Sequence, residues 1–186
     1  LFRLSPDYKR CSGTMKTWWK GLSTSALVTA ATCIVMPVST SAEISADQSA
    51  ATIIMYHRFG EEDYPSTNVR VDQFESHIRE LVSGRYSVLP LEEIIDAFRS
   101  GRALPQHTVA ITIDDAYQSI YTVAFPRLTE AGLPFTVFVA TDPIDAMHSN
   151  FMTWDQIREI RDAGGNIGHH TASHLHMADA SVERIQ

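Results

Sequence analysis

From Glu43 onward the chain has no cysteine and no lysine. Both cysteines (Cys11 and Cys33) and all three lysines (Lys9, Lys16 and Lys20) come earlier. A body without cysteine has no disulfide, no thiolate metal ligand and no cysteine nucleophile. Ten arginines face twenty-one acidic residues from Glu43 on. That balance argues against a nucleic-acid binder, which must neutralise phosphates, and against docking on anionic lipid. Long apolar runs are also scarce. The best one, Gly21 to Val38, is broken by Ser23, Thr24, Ser25, Thr29 and Thr32 and closed by Pro37. It falls short of the ~20 strongly apolar residues that a membrane span needs. What remains is a globular composition, 44% hydrophobic and 20% charged, in 186 residues, enough for one domain.

The first fifty residues read as processing sequence. Met15-Lys16-Thr17-Trp18-Trp19-Lys20 is a short basic start, the apolar stretch follows, and Ser39-Thr40-Ser41-Ala42 offers small residues to a signal peptidase. The expectation is a signal peptide over 15–42, cleaved after Ala42, and a periplasmic or secreted protein with no stable membrane span afterwards. Residues 1–14 lie upstream of the natural start at Met15, as untranslated leader or a mis-set start, and are left out of the fold. Residues 43–50 are small and polar, a linker.

Beyond Ala51, strand and helix patterns alternate. Ala51–Tyr56 reads as a strand ending at His57. Val71, Phe74, Ile78 and Leu81 repeat at helical spacing up to Gly84. Tyr86–Leu89 is a short strand; Ile94, Ile95 and Phe98 mark a helix stopped at Gly101. Val109–Ile113 is a strand, Ser119–Ala131 a helix bent at Pro126, and Pro134–Ala140 another strand. Thr153 and Gln156 form a capping box for a helix through Ala163, with Trp154 expected in the core. Asn166–His169 is the last strand, and Ser181–Gln186 begins a helix. Such alternation specifies an α/β protein with a parallel sheet or β/α barrel, whose function gathers at the C-terminal strand ends.

Two clusters stand at such ends: Asp114-Asp115, and His170-Thr171-Ala172-Ser173-His174. His57 stands at a third. Two carboxylates and two imidazoles converging on one rim suit a one-metal hydrolytic site: some bind a divalent ion that acidifies water, and a remaining carboxylate takes the proton. Glu61-Glu62-Asp63 reads as a solvated loop.

Thr112-Ile113-Asp114-Asp115-Ala116 and His170-Thr171-Ala172-Ser173-His174 resemble the two signature motifs of the polysaccharide deacetylases, the family of the NodB-homology domain. Ile54-Met55-Tyr56-His57 and Thr153-Trp154-Asp155-Gln156 also look similar to it. The resemblance covers about Thr52 to Gln186. It implies an irregular β/α barrel and removal of N-acetyl groups from an N-acetylglucosamine polysaccharide. One divalent metal, usually Zn²⁺, would be held by Asp115, His170 and His174, with Asp114 as catalytic base. His57 and His169 are left as residues that support the metal ligands or meet the substrate. Ala116 replaces the family glycine, a strained choice if its φ is positive. The family's later arginine, oxyanion donor and general-acid histidine have no counterpart before Gln186. Residues 51–186 are therefore expected to be the N-terminal part of a catalytic domain, incomplete at the C-terminus, poorly soluble and inactive alone. Two other readings remain: a deacylase acting on a non-sugar amide, and an inactive sugar-binding fragment.

Overall fold

The computed structural model describes residues 2–3 and 50–185. The expected signal segment 15–42 and the linker before Ala50 lie outside the described residues. In chain order the strands are Phe2–Arg3 (β1), Ala51–Tyr56 (β2), Arg58–Phe59 (β3), Asn68–Val69 (β4), Ser87–Val88 (β5), Thr108–Asp114 (β6), Thr136–Val139 (β7) and Asn166–His169 (β8). The helices are Val71–Leu81 (α1), Leu91–Ser100 (α2), Phe125–Glu130 (α3), Asp142–Asp145 (α4), Trp154–Asp162 (α5) and Val182–Ile185 (α6).

The architecture is α/β. The main sheet runs β1-β2-β6-β7-β8, parallel from β2 to β8. β6 is the centre because all seven of its residues are buried, as a strand flanked on both sides and both faces requires. β2 pairs with it from Ala51↔Thr108 to Tyr56↔Ile113. Its other side is shared, β5 taking Thr108 and Val109 and β7 taking Thr112 to Asp114. Sequence reasoning leaves residues 1–14 out of the fold, yet Phe2 and Arg3 pair antiparallel with Ile53 and Thr52 at the β2 edge.

Val109, Ile111 and Ile113 point to one face of β6 and pack with Phe74 of α1, Leu128 of α3 and Ile157 and Ile160 of α5. Each such side chain contributes roughly 1.5–3 kcal/mol by leaving water. Ala110 points to the other face, where Ile94 and Ala97 of α2 and Leu104 cover it. Alternation therefore puts Asp114 on the face of Ala110 and Thr112, at the open end of the sheet.

Helix ends follow their chemistry. Gly101 closes α2 at φ 70°, a left-handed cap that glycine adopts without Cβ strain. The N–H of Thr153 donates to Gln156 Oε1 at 2.9 Å, and the N–H of Gln156 to Thr153 Oγ1 at 3.3 Å, the expected capping box. Three expectations change. Ser119–Ala131 is not one bent helix. Ile120–Ala124 is a π turn that runs into α3, because the Pro126 ring lacks an N–H and collides with the carbonyl one turn earlier. Trp154 is 38% exposed instead of core, since its indole N–H donates to Asp145 Oδ1 at 2.8 Å. Glu61 is not merely solvated: its Oε2 accepts from Arg58 Nη1 at 2.6 Å.

Candidate metal centre

Four parallel strands end on one rim. β6 delivers Asp114 and Asp115, β8 delivers His170 and His174, and β2 delivers His57. Both ligand-bearing segments leave their strands through left-handed residues: Asp115 (φ 78°) and Ala116 (φ 64°) after β6, Thr171 (φ 61°) and His174 (φ 54°) after β8. Each such residue costs of order 1 kcal/mol without a glycine. The turns are held by hydrogen bonds to neighbours. Asp115 N–H donates to Phe138 carbonyl at 3.0 Å, His170 N–H to Val139 carbonyl at 2.9 Å, and Leu175 N–H to Thr171 Oγ1 at 2.7 Å.

These turns bring three side chains to one point. Asp115 Oδ1 lies 3.3 Å from His170 Nε2 and 3.3 Å from His174 Nε2. The two imidazoles meet edge-on, centroids 4.7 Å apart. The spacing of four residues works through a tight loop, not a helix turn. Asp115 Oδ1 is buried and has no hydrogen-bond partner among the described residues, a state costing roughly 1–3 kcal/mol or more for a charged group. A cation bound by these three residues would satisfy it; one carboxylate and two imidazoles are a donor set suited to zinc. Side-chain exposure rises from 9% at Asp115 to 33% at His170 and 62% at His174, so the point is open on the His174 side.

Asp114 stands outside that three-residue group. Its Oδ2 lies 4.0 Å from His57 Nε2, and both side chains are largely covered. Burial pushes the Asp114 carboxyl up from its ordinary range, while the charges of His57 and His170 pull the other way. A carboxylate with a raised pKa is the better proton acceptor. His169 is separated from the cluster by alternation. Gly168 and His170 share one face, and His169 takes the other, exposed, with its Nδ1 accepting the Thr171 N–H at 3.2 Å. Its contribution is to the turn that presents the histidines.

Two residues escape sequence reasoning. Arg58 is buried one position past His57, and Tyr117 follows Asp115 by two. The Arg58 guanidinium carbon lies 3.4 Å from the Tyr117 ring centroid. Proximity in sequence to His57 and to the aspartate pair was the available signal. The loop after β7, the strand between β6 and β8, is also tied to both ligand segments. Met152 N–H donates to Ala116 carbonyl at 2.9 Å, Gln118 N–H to Asn150 carbonyl at 2.8 Å and Asp142 N–H to Ala172 carbonyl at 2.9 Å.

Residues 101–186 match the family described as polysaccharide deacetylase. A Bacillus subtilis protein whose name assigns it to the polysaccharide deacetylases, YxkH, is 30% identical over 148 residues, covering 79% of this chain and 52% of its own. The Escherichia coli poly-β-1,6-N-acetyl-D-glucosamine N-deacetylase is 30% identical over 123 residues, 58% of this chain and 18% of its own. The chain thus spans about half the length of the first relative and less of the second. Among solved structures, the Streptococcus pyogenes deacetylase PplD, in complex with acetate, superposes with a TM-score of 0.63 at 24% identity, over 70% of this chain and 60% of that one. At that identity the likeness establishes the fold alone.

Proposed function

Because the chain belongs to the polysaccharide deacetylase family, we propose that it forms part of an exported, metal-dependent hydrolase. In this reading the enzyme removes N-acetyl groups from an N-acetylglucosamine polymer. The carrying observation is the unpartnered Asp115 Oδ1 facing two imidazoles, with a second, differently placed carboxylate beside it. The name of the Escherichia coli relative favours a β-1,6-linked polymer as substrate.

Asp115, His170 and His174 would hold the ion. When bound, a divalent metal supplies Lewis acidity to water and to the acetamide oxygen. Asp114 then accepts the proton that the attacking water loses. Its buried carboxylate gains basicity from poor solvation, with the His57 ring 4.0 Å away. The water oxygen bonds to the acetyl carbon and the C–N bond breaks. The departing amine takes up a proton, which Asp114, having accepted one from the water, can return. Acetate leaves, and the polymer keeps a glucosamine unit with a free amine. The loop after β7 bounds a surface cavity of about 290 Å³ lined by Pro143, His148, Ser149, Asn150 and Phe151, next to both ligand segments; a neighbouring sugar of the polymer would lie there.

The test uses the full-length protein with β-1,6-linked N-acetylglucosamine oligomers. Acetate release that stops on chelation and returns with Zn²⁺ supports the reading. Release from small non-sugar amides but not from the oligomers would shift it to the deacylase alternative. Oligomer binding without any acetate would leave a sugar-binding module.

A further inference from the structure

The connection from β7 to α5 grips the candidate centre at two places. At its start the Asp142 N–H holds the Ala172 carbonyl at 2.9 Å, and Ala172 lies between His170 and His174 in the chain. At its far end the Asn150 carbonyl accepts the Gln118 N–H at 2.8 Å, and the Met152 N–H donates to the Ala116 carbonyl at 2.9 Å. Tyr117 and Phe151 form an antiparallel bridge between those two bonds, their ring centroids 4.9 Å apart. Ala116 directly follows Asp115. The three side chains that meet at one point therefore sit on two turns, and each turn hangs on one end of this connection.

The two ends are in turn fixed to each other. At the start, α4 is a single turn closed by Asp145 N–H to the Thr141 carbonyl and Ala146 N–H to the Asp142 carbonyl, both at 2.9 Å. Ile144 anchors that turn in the main apolar cluster. Trp154 stands two residues past Met152, at the head of α5, where the Thr153–Gln156 capping box holds the backbone. Its indole N–H reaches back across the connection to Asp145 Oδ1 at 2.8 Å. An indole nitrogen only donates and a carboxylate only accepts, so the two groups are matched. Packing does not account for the residue. Trp154 is 38% exposed and belongs to neither apolar cluster.

We infer that Trp154 is a positioning residue for the metal ligands: by holding Asp145 it sets α4, and with α4 the Ala172 carbonyl between the two histidines, at a fixed distance from the segment that holds the turn after Asp115. The inference rests on the metal reading given above. A set of ligands converging on one ion must be held to about 0.5 Å, and here the ligands come from turns on non-adjacent strands. Asp145 and Trp154 close the connection that spans them. Trp154 acts only through Asp145 and α4, so its donor matters more than its ring.

The experiment uses the full-length protein. Zn²⁺ affinity is read by competition with a chromophoric chelator, ligand geometry by the visible spectrum of Co²⁺, and the Asp142 anchor by amide hydrogen exchange in the metal-free protein. Trp154→Phe keeps an aromatic ring and loses the donor. It should weaken Zn²⁺ binding roughly tenfold, the lower end of what indirect supports of ligands command. It should also shift the Co²⁺ bands and speed exchange at Asp142, with the melting temperature of the metal-free protein little changed. Asp145→Ala should do the same, whereas Asp145→Asn keeps an acceptor oxygen and should bind Zn²⁺ nearly as the wild type does. The double variant Trp154→Phe/Asp145→Ala should bind no more weakly than either single one. Wild-type affinity and spectrum in Trp154→Phe, or additive losses in the double variant, would overturn the inference while the metal reading stands. So would a raised KM for the oligomers at unchanged metal affinity, which would make Trp154 a surface for sugar. If Trp154→Phe does not fold, Asp145→Ala against Asp145→Asn decides, and equal affinities overturn the inference. A wild type that binds neither ion sinks both readings, whereas loss of binding in His170→Ala beside a competent wild type keeps the metal site.

Discussion

Asp114 and Asp115 are adjacent in sequence and differ in what surrounds them. Asp115 faces two imidazole nitrogens at 3.3 Å; Asp114 faces one, on another strand, at 4.0 Å. Asp115→Ala and His170→Ala should therefore lose metal and activity together. Asp114→Asn removes a charge but no ligand, so it should keep the metal and lose ~10²–10⁴-fold in turnover. Metal content measured beside acetate release separates them, and a metal-free Asp114→Asn with a loaded Asp115→Ala would reverse the assignment. Ala116 makes a subtler case. Its φ of 64° disfavours alanine, yet its methyl is fully buried in the main apolar cluster. Relief of ~1 kcal/mol from Ala116→Gly is offset by the loss of a buried methyl, ~0.8 kcal/mol. Urea unfolding should show a net change below about 1 kcal/mol. The aspartates and the histidine pair were legible because strand ends and ligand spacing are local patterns. Arg58 and Tyr117 were not, because their work consists of contacts between residues nearly sixty positions apart.

At the scale of elements, β7 and β8 are held together by a small residue. A Cβ on Gly168 would sit 2.5 Å from the Phe138 ring, whose strand partner it is. Gly168→Ala should destabilise by ~1–3 kcal/mol through overpacking, and Phe138→Leu in the same chain should recover part of that loss in thermal melts. A fully stable Gly168→Ala would mean that the two strands separate easily. Long elements with a clear period were readable from the sequence: α1, α2, α5, β2 and β6 fall where apolar spacing and glycine stops put them. The two-residue pair β3 and β4, which joins Arg58 with Asn68 and Phe59 with Val69, was not, because two residues carry no period. Nor was the four-residue α4. The π turn before Pro126 was read as a bend, since proline announces a break without saying how the backbone absorbs it.

For the whole molecule, the candidate centre joins β6 to β8 across β7, so an ion there would tie non-adjacent strands. Chelation should lower the melting temperature of the loaded protein, with ~2.7 kcal/mol at stake when free metal is a hundred times its dissociation constant. Equal melts with and without chelator would count against a structural tie. No helix among the described residues is long and apolar enough to cross a membrane, and we propose export through the segment 15–42. N-terminal sequencing of secreted protein should then begin Glu43-Ile44-Ser45; full-length chain retained in the membrane would contradict it. The separation of the ligands has one more consequence, in chronology. Asp115 and the histidines are more than fifty residues apart, and the strand between their strands must be seated before the three can meet. Ligand sets of this kind do not exist in an unfolded chain. A polypeptide exported before folding would cross without its ion and take one only at its destination. The supply of metals in that compartment, rather than in the cytoplasm where the chain was made, would then decide which element the enzyme carries.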